Sequence, residues 1–322
     1  AFDGLAGTEA RDCCGHGGPR SGGGRLAASN GSCNNRRLFN LSNDMPVVDS
    51  ALLRWIVLCP LIGTILCLFA AKTGRDALAK LAGPLSVLAA FAVALVSVAQ
   101  LWQLPPEGAL IDRMYTWIHA TPLTLEAAFR VDHLTSVMIL IITGIGFLIH
   151  LYSMGYMHDD ADEARFFSYL NLFVASMLVL VLADSLPVVF IGWEGVGVCS
   201  YLLIGFWYTP APNATAGKKA FIANRIGDFG LICGMFLLVY YTGSLDWHGI
   251  EAGAGSLVTT TDNARVHLWP IGGGQFSGWL SFLQPKHPIT ISAATAVALA
   301  LFLGCTGKSA QIPLYTWLPD AM

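Results

Sequence analysis

From residue 52 onward the chain is a series of long apolar runs separated by short polar stretches. A helix of roughly 20 apolar residues spans the hydrocarbon core of a bilayer. Seven runs reach that length, and they cover residues 52–71, 79–102, 131–157, 164–184, 186–208, 214–241 and 288–318. The pattern predicts an all-α fold, a polytopic membrane bundle of about seven transmembrane helices.

The seventh run contains residues that interrupt a helix. Residues 289–307 carry no charge, and Lys308 follows them directly. Pro313 has no N–H to donate, and its ring crowds the carbonyl of Ser309, so the helix has to kink or break here. Gly307 weakens the preceding turn. We therefore predict that the seventh helix is broken beside Lys308.

Composition supports a membrane protein and excludes two other classes. Hydrophobic residues make up 54% of the chain and charged residues 12%, against about 25% charged residues in soluble domains. With a mean hydropathy of +0.58, the chain is too apolar for an ordinary soluble enzyme. Its 18 Lys and Arg residues are scattered between apolar runs. They lack the clustering that binds phosphates, so we expect no nucleic acid partner.

The eight cysteines do not form a recognisable disulfide or metal framework. Cys13, Cys14 and Cys33 lie near His16 without the paired spacing of a zinc site. The other cysteines lie inside apolar runs, where a thiol behaves as a small hydrophobic group; they are Cys59, Cys67, Cys199, Cys233 and Cys305. The sequence therefore predicts no metal site.

Residues 1–44 differ from the rest of the chain, being Gly-rich with five Arg and no periodic apolar pattern. This composition is typical of a disordered or non-native tail. Basic residues in the loops place the start of the first helix weakly outside the cytoplasm, so the tail's arginines would have to cross the membrane. We therefore expect the mature protein to begin at or near Met45.

We expect the rest of the chain to divide into two parts. Residues 45–130 contain two helices and a connecting loop, and residues 131–322 form a helix bundle.

Glu194 is a charged residue in the middle of the fifth apolar run. An ionisable group at membrane depth costs roughly 2.5–3.5 kcal/mol on insertion scales, so it needs a reason to be there. Gly192, Gly195 and Gly197 surround it and allow another helix backbone to come close. The pattern favours a carboxylate that faces the bundle. The alternative is a protonated Glu bonded to a carbonyl with a structural role only.

Lys308 is the second ionisable group at membrane depth. At a helix break it would lie beside backbone carbonyls that can line an ion path. The alternative is a lysine that extends along its apolar stem to the membrane interface. A carboxylate and an amine inside the membrane can bind and release a proton as their partners change.

Four further polar residues lie in or beside the apolar runs. Arg225 and Asp228 are three residues apart and share a helix face, so a local ion pair is the simpler interpretation. Lys219 lies at the start of the same helix, where it either reaches the interface or belongs to the site. His150 is alone on an apolar stretch, either as a proton carrier or as a hydrogen-bonded structural histidine.

Several segments together resemble the largest antiporter-like membrane subunit of respiratory complex I, of the bacterial type known as subunit L or chain 5. They include GWEGVG at 192–197, NRIGD at 224–228 and GKSAQIP at 307–313. The remaining matching segments are 165–173, 199–206, 219–221 and 317–322. The resemblance covers about residues 50 to 322 and implies two inverted repeats. The chain would contain part of the first repeat, as an N-terminal fragment.

The resemblance also implies a function and roles for residues. The subunit would couple quinone reduction to proton pumping through its buried Glu and Lys, as a non-redox subunit of NADH:quinone reductase without independent catalytic activity. Arg225 and His150 would support the path, and Gly307, Ser309 and Pro313 would form the helix break. The residues implied to carry the proton are Glu194, Lys308, Asp228 and Lys219.

The same resemblance implies no cofactor in this chain, with FMN, iron–sulfur clusters and quinone elsewhere in the complex. The implied partners are the lipid bilayer and other membrane subunits, especially the neighbouring antiporter-like subunit, in the bacterial inner membrane. Two alternatives stay open. One is the large subunit of a multisubunit cation/proton antiporter. The other is a membrane scaffold without an ion path of its own.

Overall fold

A computed structural model describes residues 47–120, 123–258, 265–269 and 289–321. The tail predicted at 1–44 and the start predicted at Met45 lie outside the described residues. The division of the chain into 1–44, 45–130 and 131–322 stays a prediction.

The described residues form mainly helices, as the apolar pattern predicts. Six of them, α1 to α6, are long and apolar enough to cross a membrane, and α8 is a shorter apolar helix of 16 residues. The bounds are α1 Leu53–Thr73, α2 Asp76–Leu101, α3 His133–Tyr156, α4 Glu163–Leu182, α5 Leu186–Ile204, α6 Ala211–Thr242, α7 Trp247–Val258, α8 Ala293–Lys308 and α9 Leu318–Ala321. A 3₁₀ helix, Leu314–Trp317, precedes α9. The prediction of a membrane helix bundle with a broken seventh helix is confirmed.

The stretches between the apolar runs contain strands and a helix that the sequence analysis did not predict. A three-stranded sheet has the order β1-β2-β3, with β1 parallel to β2 and β2 antiparallel to β3. A separate antiparallel pair, β4 and β5, precedes α8. The strands are β1 Val47–Asp49, β2 Ala109–Ala120, β3 Leu123–Val131, β4 Arg265–Trp269 and β5 Ile289–Ser292. In β3, Leu125 is buried next to the exposed Glu126, and the next three residues, Ala127, Ala128 and Phe129, are all buried, so the second half of the strand is covered on both faces.

Three apolar clusters hold the described helices together, and the smallest joins α1, α2 and α4 around Phe167. The first joins α1, α2, α3 and α4 with strand β3, through side chains such as Ile56, Val87 and Leu178. The second joins α6 and α8 with α7 and the start of α5, through Leu238, Val297 and others. Many large apolar side chains outside these clusters are exposed. That is the surface expected of helices in lipid.

Glycines bring α5, α6 and α8 unusually close. A Cβ added at Gly217 on α6 would lie 3.2 Å from the Tyr201 carbonyl oxygen on α5, so the two backbones lie close together there. A Cβ at Gly227 on α6 would lie 3.1 Å from Gly307 Cα on α8. Small residues permit such contacts between membrane helices. These contacts place the charged side chains of the three helices beside one another.

Candidate functional site

Arg225 on α6 lies between two carboxylates. Its Nη1 donates a hydrogen bond to Glu194 Oε2 on α5, and the same nitrogen lies 3.6 Å from Asp228 Oδ2. The guanidinium stacks on the Phe221 ring at 4.3 Å. The local pair of Arg225 and Asp228 is thus present, but the closer partner of the arginine comes from the neighbouring helix.

Asp228 is almost completely buried, with 2% of its surface exposed. Its Oδ1 accepts a hydrogen bond of 2.5 Å from the indole Nε1 of Trp193 on α5. Its Oδ2 accepts no hydrogen bond from the residues that the structure describes. Trp193 precedes Glu194 directly, yet the sequence analysis did not select it, because an aromatic side chain in an apolar run gives no local sign of a polar contact.

Lys308 is the last residue of α8, and its amine is buried. Its Nζ lies 5.4 Å from the centre of the Trp193 ring. A Cβ added at Gly197 would lie 2.6 Å from the same atom, so the glycine leaves the space that the amine occupies. Asp228 attracts the ammonium and Arg225 repels it. Within the described part of the chain, Nζ makes no hydrogen bond.

These contacts join five side chains on three helices, in the order Glu194, Arg225, Asp228, Trp193 and Lys308. We call this set the polar chain. Glu194 and Lys308 do not pair directly in this structure. Glu194 is bound to Arg225, because α5 and α6 pack with these two residues facing each other.

The helix break lies directly after the lysine. α8 ends at Lys308, with Ser309 as its C-cap residue, and Pro313 precedes the 3₁₀ helix. The Trp317 indole N–H donates to the Gly307 carbonyl at 3.0 Å, which satisfies one of the free carbonyls at the helix end. The negative end of the helix dipole also favours a cation at Lys308.

Lys219 lies outside the polar chain. Its Nζ forms an ion pair of 2.6 Å with Asp320 Oδ2 on α9, and the two side chains are 42% and 49% exposed. The pair therefore joins the start of α6 to the segment beyond the helix break. It is a surface contact, which typically stabilises a fold by no more than about 1 kcal/mol.

His150 also lies apart from the polar chain, on α3. It is fully buried, and its Nδ1 lies 2.7 Å from the Gly146 carbonyl oxygen. The ring lies beside Phe167 and lines a largely apolar cavity of about 230 Å³ between α3 and α4. These contacts hold the ring between α3 and α4, and the choice between a proton carrier and a structural histidine stays a prediction.

A second polar group lies in the turn between α4 and α5, where the sequence analysis singled out no site. Arg130 Nη1 on β3 lies 3.9 Å from Asp184 Oδ1. Burial raises the pKa of the Asp184 carboxyl to about 6, and the arginine opposes this only in part. The Asp184 amide donates to the Ala128 carbonyl at 3.1 Å, so the turn is attached to β3.

Asp184→Asn should change how stability depends on pH. Because the pKa of about 6 in the folded protein exceeds that of an exposed Asp, the folded state binds the proton more tightly than the unfolded chain. The contribution of Asp184 to the free energy of unfolding therefore falls as pH rises from about 4 to about 6. We expect the thermal midpoint of the detergent-purified protein to fall between about pH 5 and pH 7.5 by less in the variant than in the wild type. Asp159→Asn is the control, since Asp159 is fully exposed; equal pH dependence of wild type and Asp184→Asn would contradict the prediction.

The turn between α3 and α4 carries its own ion pairs. Lys80 Nζ lies 3.0 Å from Glu163 Oε2, and Arg165 Nη2 lies 2.9 Å from Asp162 Oδ2. Asp160 accepts hydrogen bonds from the Asp162 amide and from the Trp207 indole at 2.8 Å, and these bonds lower its pKa. The acidic turn therefore attaches α4 to its neighbours rather than standing free in solution.

Two family models match the chain. The model described as NADH:quinone oxidoreductase/Mrp antiporter, TM, matches residues 183–322. The model for the N-terminus of chain 5 of NADH-ubiquinone oxidoreductase (complex I) matches residues 117–167. The first of these contains every residue of the polar chain.

Among curated proteins, NADH-quinone oxidoreductase subunit L of Mycobacterium tuberculosis H37Rv is 41% identical over 268 residues, which is 83% of this chain and 37% of that protein. The chloroplastic NAD(P)H-quinone oxidoreductase subunit 5 of Physcomitrium patens is 39% identical over 242 residues, 73% of this chain and 30% of that protein. The chain thus spans about a third of the length of these relatives.

A solved structure with the same fold is the Mrp complex from Dietzia sp. DQ12-45-1b, with a TM-score of 0.60 and 23% identity over 84% of this chain and 25% of that one. The membrane-bound sulfane sulfur reductase, an archaeal respiratory complex, has a TM-score of 0.59 and 17% identity over 84% of this chain and 47% of that one. From the family models and the curated relatives together, the chain belongs to the family of antiporter-like membrane subunits that NADH:quinone oxidoreductases share with Mrp antiporters.

Proposed function

We propose that this protein is the proton-translocating, subunit L-type membrane subunit of a bacterial NADH:quinone oxidoreductase, and that it couples quinone reduction to proton pumping. The observation that carries the proposal is the polar chain. It places two carboxylates, a guanidinium and an amine across three apolar helices, and it ends beside a helix break. Charges at this depth are costly, and in membrane proteins they mark ion and proton paths.

Exchange of partners at Glu194 is the step that moves the proton. With the carboxylate close to Lys308, the ammonium form is stabilised and the amine holds its proton. With the carboxylate on Arg225, as in this structure, Lys308 loses that stabilisation and releases the proton. A movement transmitted along the membrane arm from neighbouring subunits would drive the exchange.

Redox chemistry would take place in other subunits. We propose that FMN, the iron–sulfur clusters and quinone bind elsewhere in the complex, and that this chain holds no cofactor. Its partners would be other membrane subunits, above all the neighbouring antiporter-like subunit, in the bacterial inner membrane. Lys219, near the start of α6 and paired with Asp320 on α9, would serve the path from its edge. His150 would support it from α3.

A second candidate is the large subunit of a multisubunit cation/proton antiporter. It is supported by the description of the matching family model, which includes Mrp antiporters, and by the fold shared with the Dietzia complex. A third candidate is a membrane scaffold in which the polar chain only stabilises packing. The first two candidates differ in the energy source that moves protons, and the scaffold would move none through the polar chain.

Inverted membrane vesicles that contain the complete complex with the full-length subunit separate these candidates. We expect proton uptake that begins when NADH is added and stops when an inhibitor blocks the quinone site of the complex. Its rate should be the same with and without sodium. Vesicles that lack this subunit should lose a large part of the uptake for the same rate of NADH oxidation, because the path through the polar chain is absent.

Two results would contradict the proposal. Proton movement driven by a sodium gradient in the absence of NADH would identify the antiporter. Unchanged pumping per NADH in assembled complexes whose polar chain has been made apolar would identify the scaffold.

A further inference from the structure

We infer that Trp193 is a positioning residue, which holds the Asp228 carboxylate away from the Lys308 ammonium so that the amine can release its proton. The inference rests on the proposed function and deepens it. It assigns a role to an uncharged side chain that belongs to the GWEGVG segment at 192–197 and is not among the predicted site residues.

The hydrogen bond from Trp193 fixes one carboxylate oxygen. Indole Nε1 donates to Asp228 Oδ1 at 2.5 Å, which is short for an N–H donor and typical of a bond to a charged acceptor. The second oxygen, Oδ2, is drawn towards Arg225, whose Nη1 lies 3.6 Å away. Both oxygens of the carboxylate are thus directed at groups other than the lysine.

The face of the same indole ring contacts the lysine. Lys308 Nζ lies 5.4 Å from the ring centre, within the range of a cation–π interaction. A π face attracts an ammonium by about 0.5–2 kcal/mol, less than a carboxylate in direct contact, so it holds the proton less firmly than a direct ion pair would. Gly197 makes the contact possible, because a side chain there would meet the amine.

The consequence is an amine and a carboxylate that lie near each other without a direct bond. Asp228 Oδ2 and Lys308 Nζ are both buried, and neither makes a hydrogen bond to any residue that the structure describes. The charged groups that face the pair are Glu194 on α5 and Arg225 on α6. A direct ion pair would hold the proton on the amine, so the separation keeps release fast.

Trp193→Phe keeps an aromatic face for Lys308 and removes the N–H donor. The freed Asp228 carboxylate then turns to the ammonium and holds its proton. We expect the pH profile of NADH-driven proton translocation to move in the alkaline direction by about one pH unit, which corresponds to about 1.4 kcal/mol. The measurement is the rate of translocation against pH in vesicles with the complete complex, at equal rates of NADH oxidation.

Trp207→Phe is the matched control. Its indole also donates to a carboxylate, that of Asp160 at 2.8 Å, but the contact is exposed and lies outside the polar chain. Its pH profile should equal that of the wild type. If Trp193→Phe does not assemble, site-specific replacement of Trp193 by β-(3-benzothienyl)alanine keeps the ring shape and lacks the N–H.

The possible results separate the inference from the proposed function. An unshifted profile in the Trp193 variants, or a loss of rate that is equal at every pH, would overturn the positioning role. Lys308→Ala, measured beside them, tests the function itself. If Lys308→Ala pumps poorly and the Trp193 variants show a wild-type profile, only the inference is wrong; if Lys308→Ala pumps like the wild type, the proposed function is wrong.

Discussion

Lys308→Ala and Glu194→Gln are each expected to lower proton translocation per NADH oxidised by about tenfold or more, with the complex still assembled. Opposite charges about 4 Å apart attract by about 4 kcal/mol at an effective dielectric constant of 20, before the cost of desolvation. Loss of either partner removes that attraction from the proton-loaded state. In Glu194→Gln, Arg225 still has Asp228 at 3.6 Å, so its charge stays compensated and the fold survives.

The double variant Glu194→Gln/Lys308→Ala sharpens this test. Because both changes remove the same interaction, the loss in free energy should be much smaller in the double variant than the sum of the single losses. The measurement is proton translocation per NADH for the four members of the cycle, in vesicles. Lys72→Ala, at the exposed end of α1, is the control. Strictly additive losses would refute the coupling, and wild-type pumping in Lys308→Ala or in the double variant would favour a scaffold.

Arg225→Met is expected to lower the amount of assembled complex and its thermal midpoint more than any other single change in the polar chain. It leaves the Glu194 and Asp228 carboxylates without their shared cation. Removal of one partner of a fully buried ion pair typically costs about 3–5 kcal/mol. The Arg225–Glu194 pair is only partly buried, with side chains 34% and 23% exposed, so we expect a smaller but still substantial cost. Assembly in native gels and the thermal midpoint of the purified complex measure the effect.

Arg225→Met/Glu194→Gln should recover much of the lost stability, since the carboxylate that depends most on the arginine is then neutral. Proton translocation should stay low, because the exchange partner of Lys308 is absent. Arg113→Met is the matched control, since Arg113 forms an ion pair with Glu126 at 3.4 Å with both side chains largely exposed. Normal assembly of Arg225→Met, or no recovery in the double variant, would contradict the role given to the arginine.

The local sequence pattern was sufficient to predict the long apolar helices and the break at the end of α8. Six helices long enough for a membrane lie where the apolar runs predicted them, because a span in lipid must satisfy its own backbone within a single segment. Lys308 ends α8 as expected from Pro313, since the missing N–H and the crowded carbonyl act within one helical turn. The strands β2 and β3 escaped prediction, because pairing with another segment decides whether an alternating polar stretch becomes a strand.

The sequence by itself determined which segments form the long apolar helices, where charges enter the membrane and where the last helix breaks, because each depends on neighbours within a few residues. Only the tertiary structure decided which charges meet. Glu194 faces Arg225 instead of Lys308, and Trp193 joins Asp228 to the lysine. These contacts depend on the rotation of α5, α6 and α8 about their axes. That rotation is set by glycine contacts such as Gly227 on Gly307, which bring together residues distant in sequence.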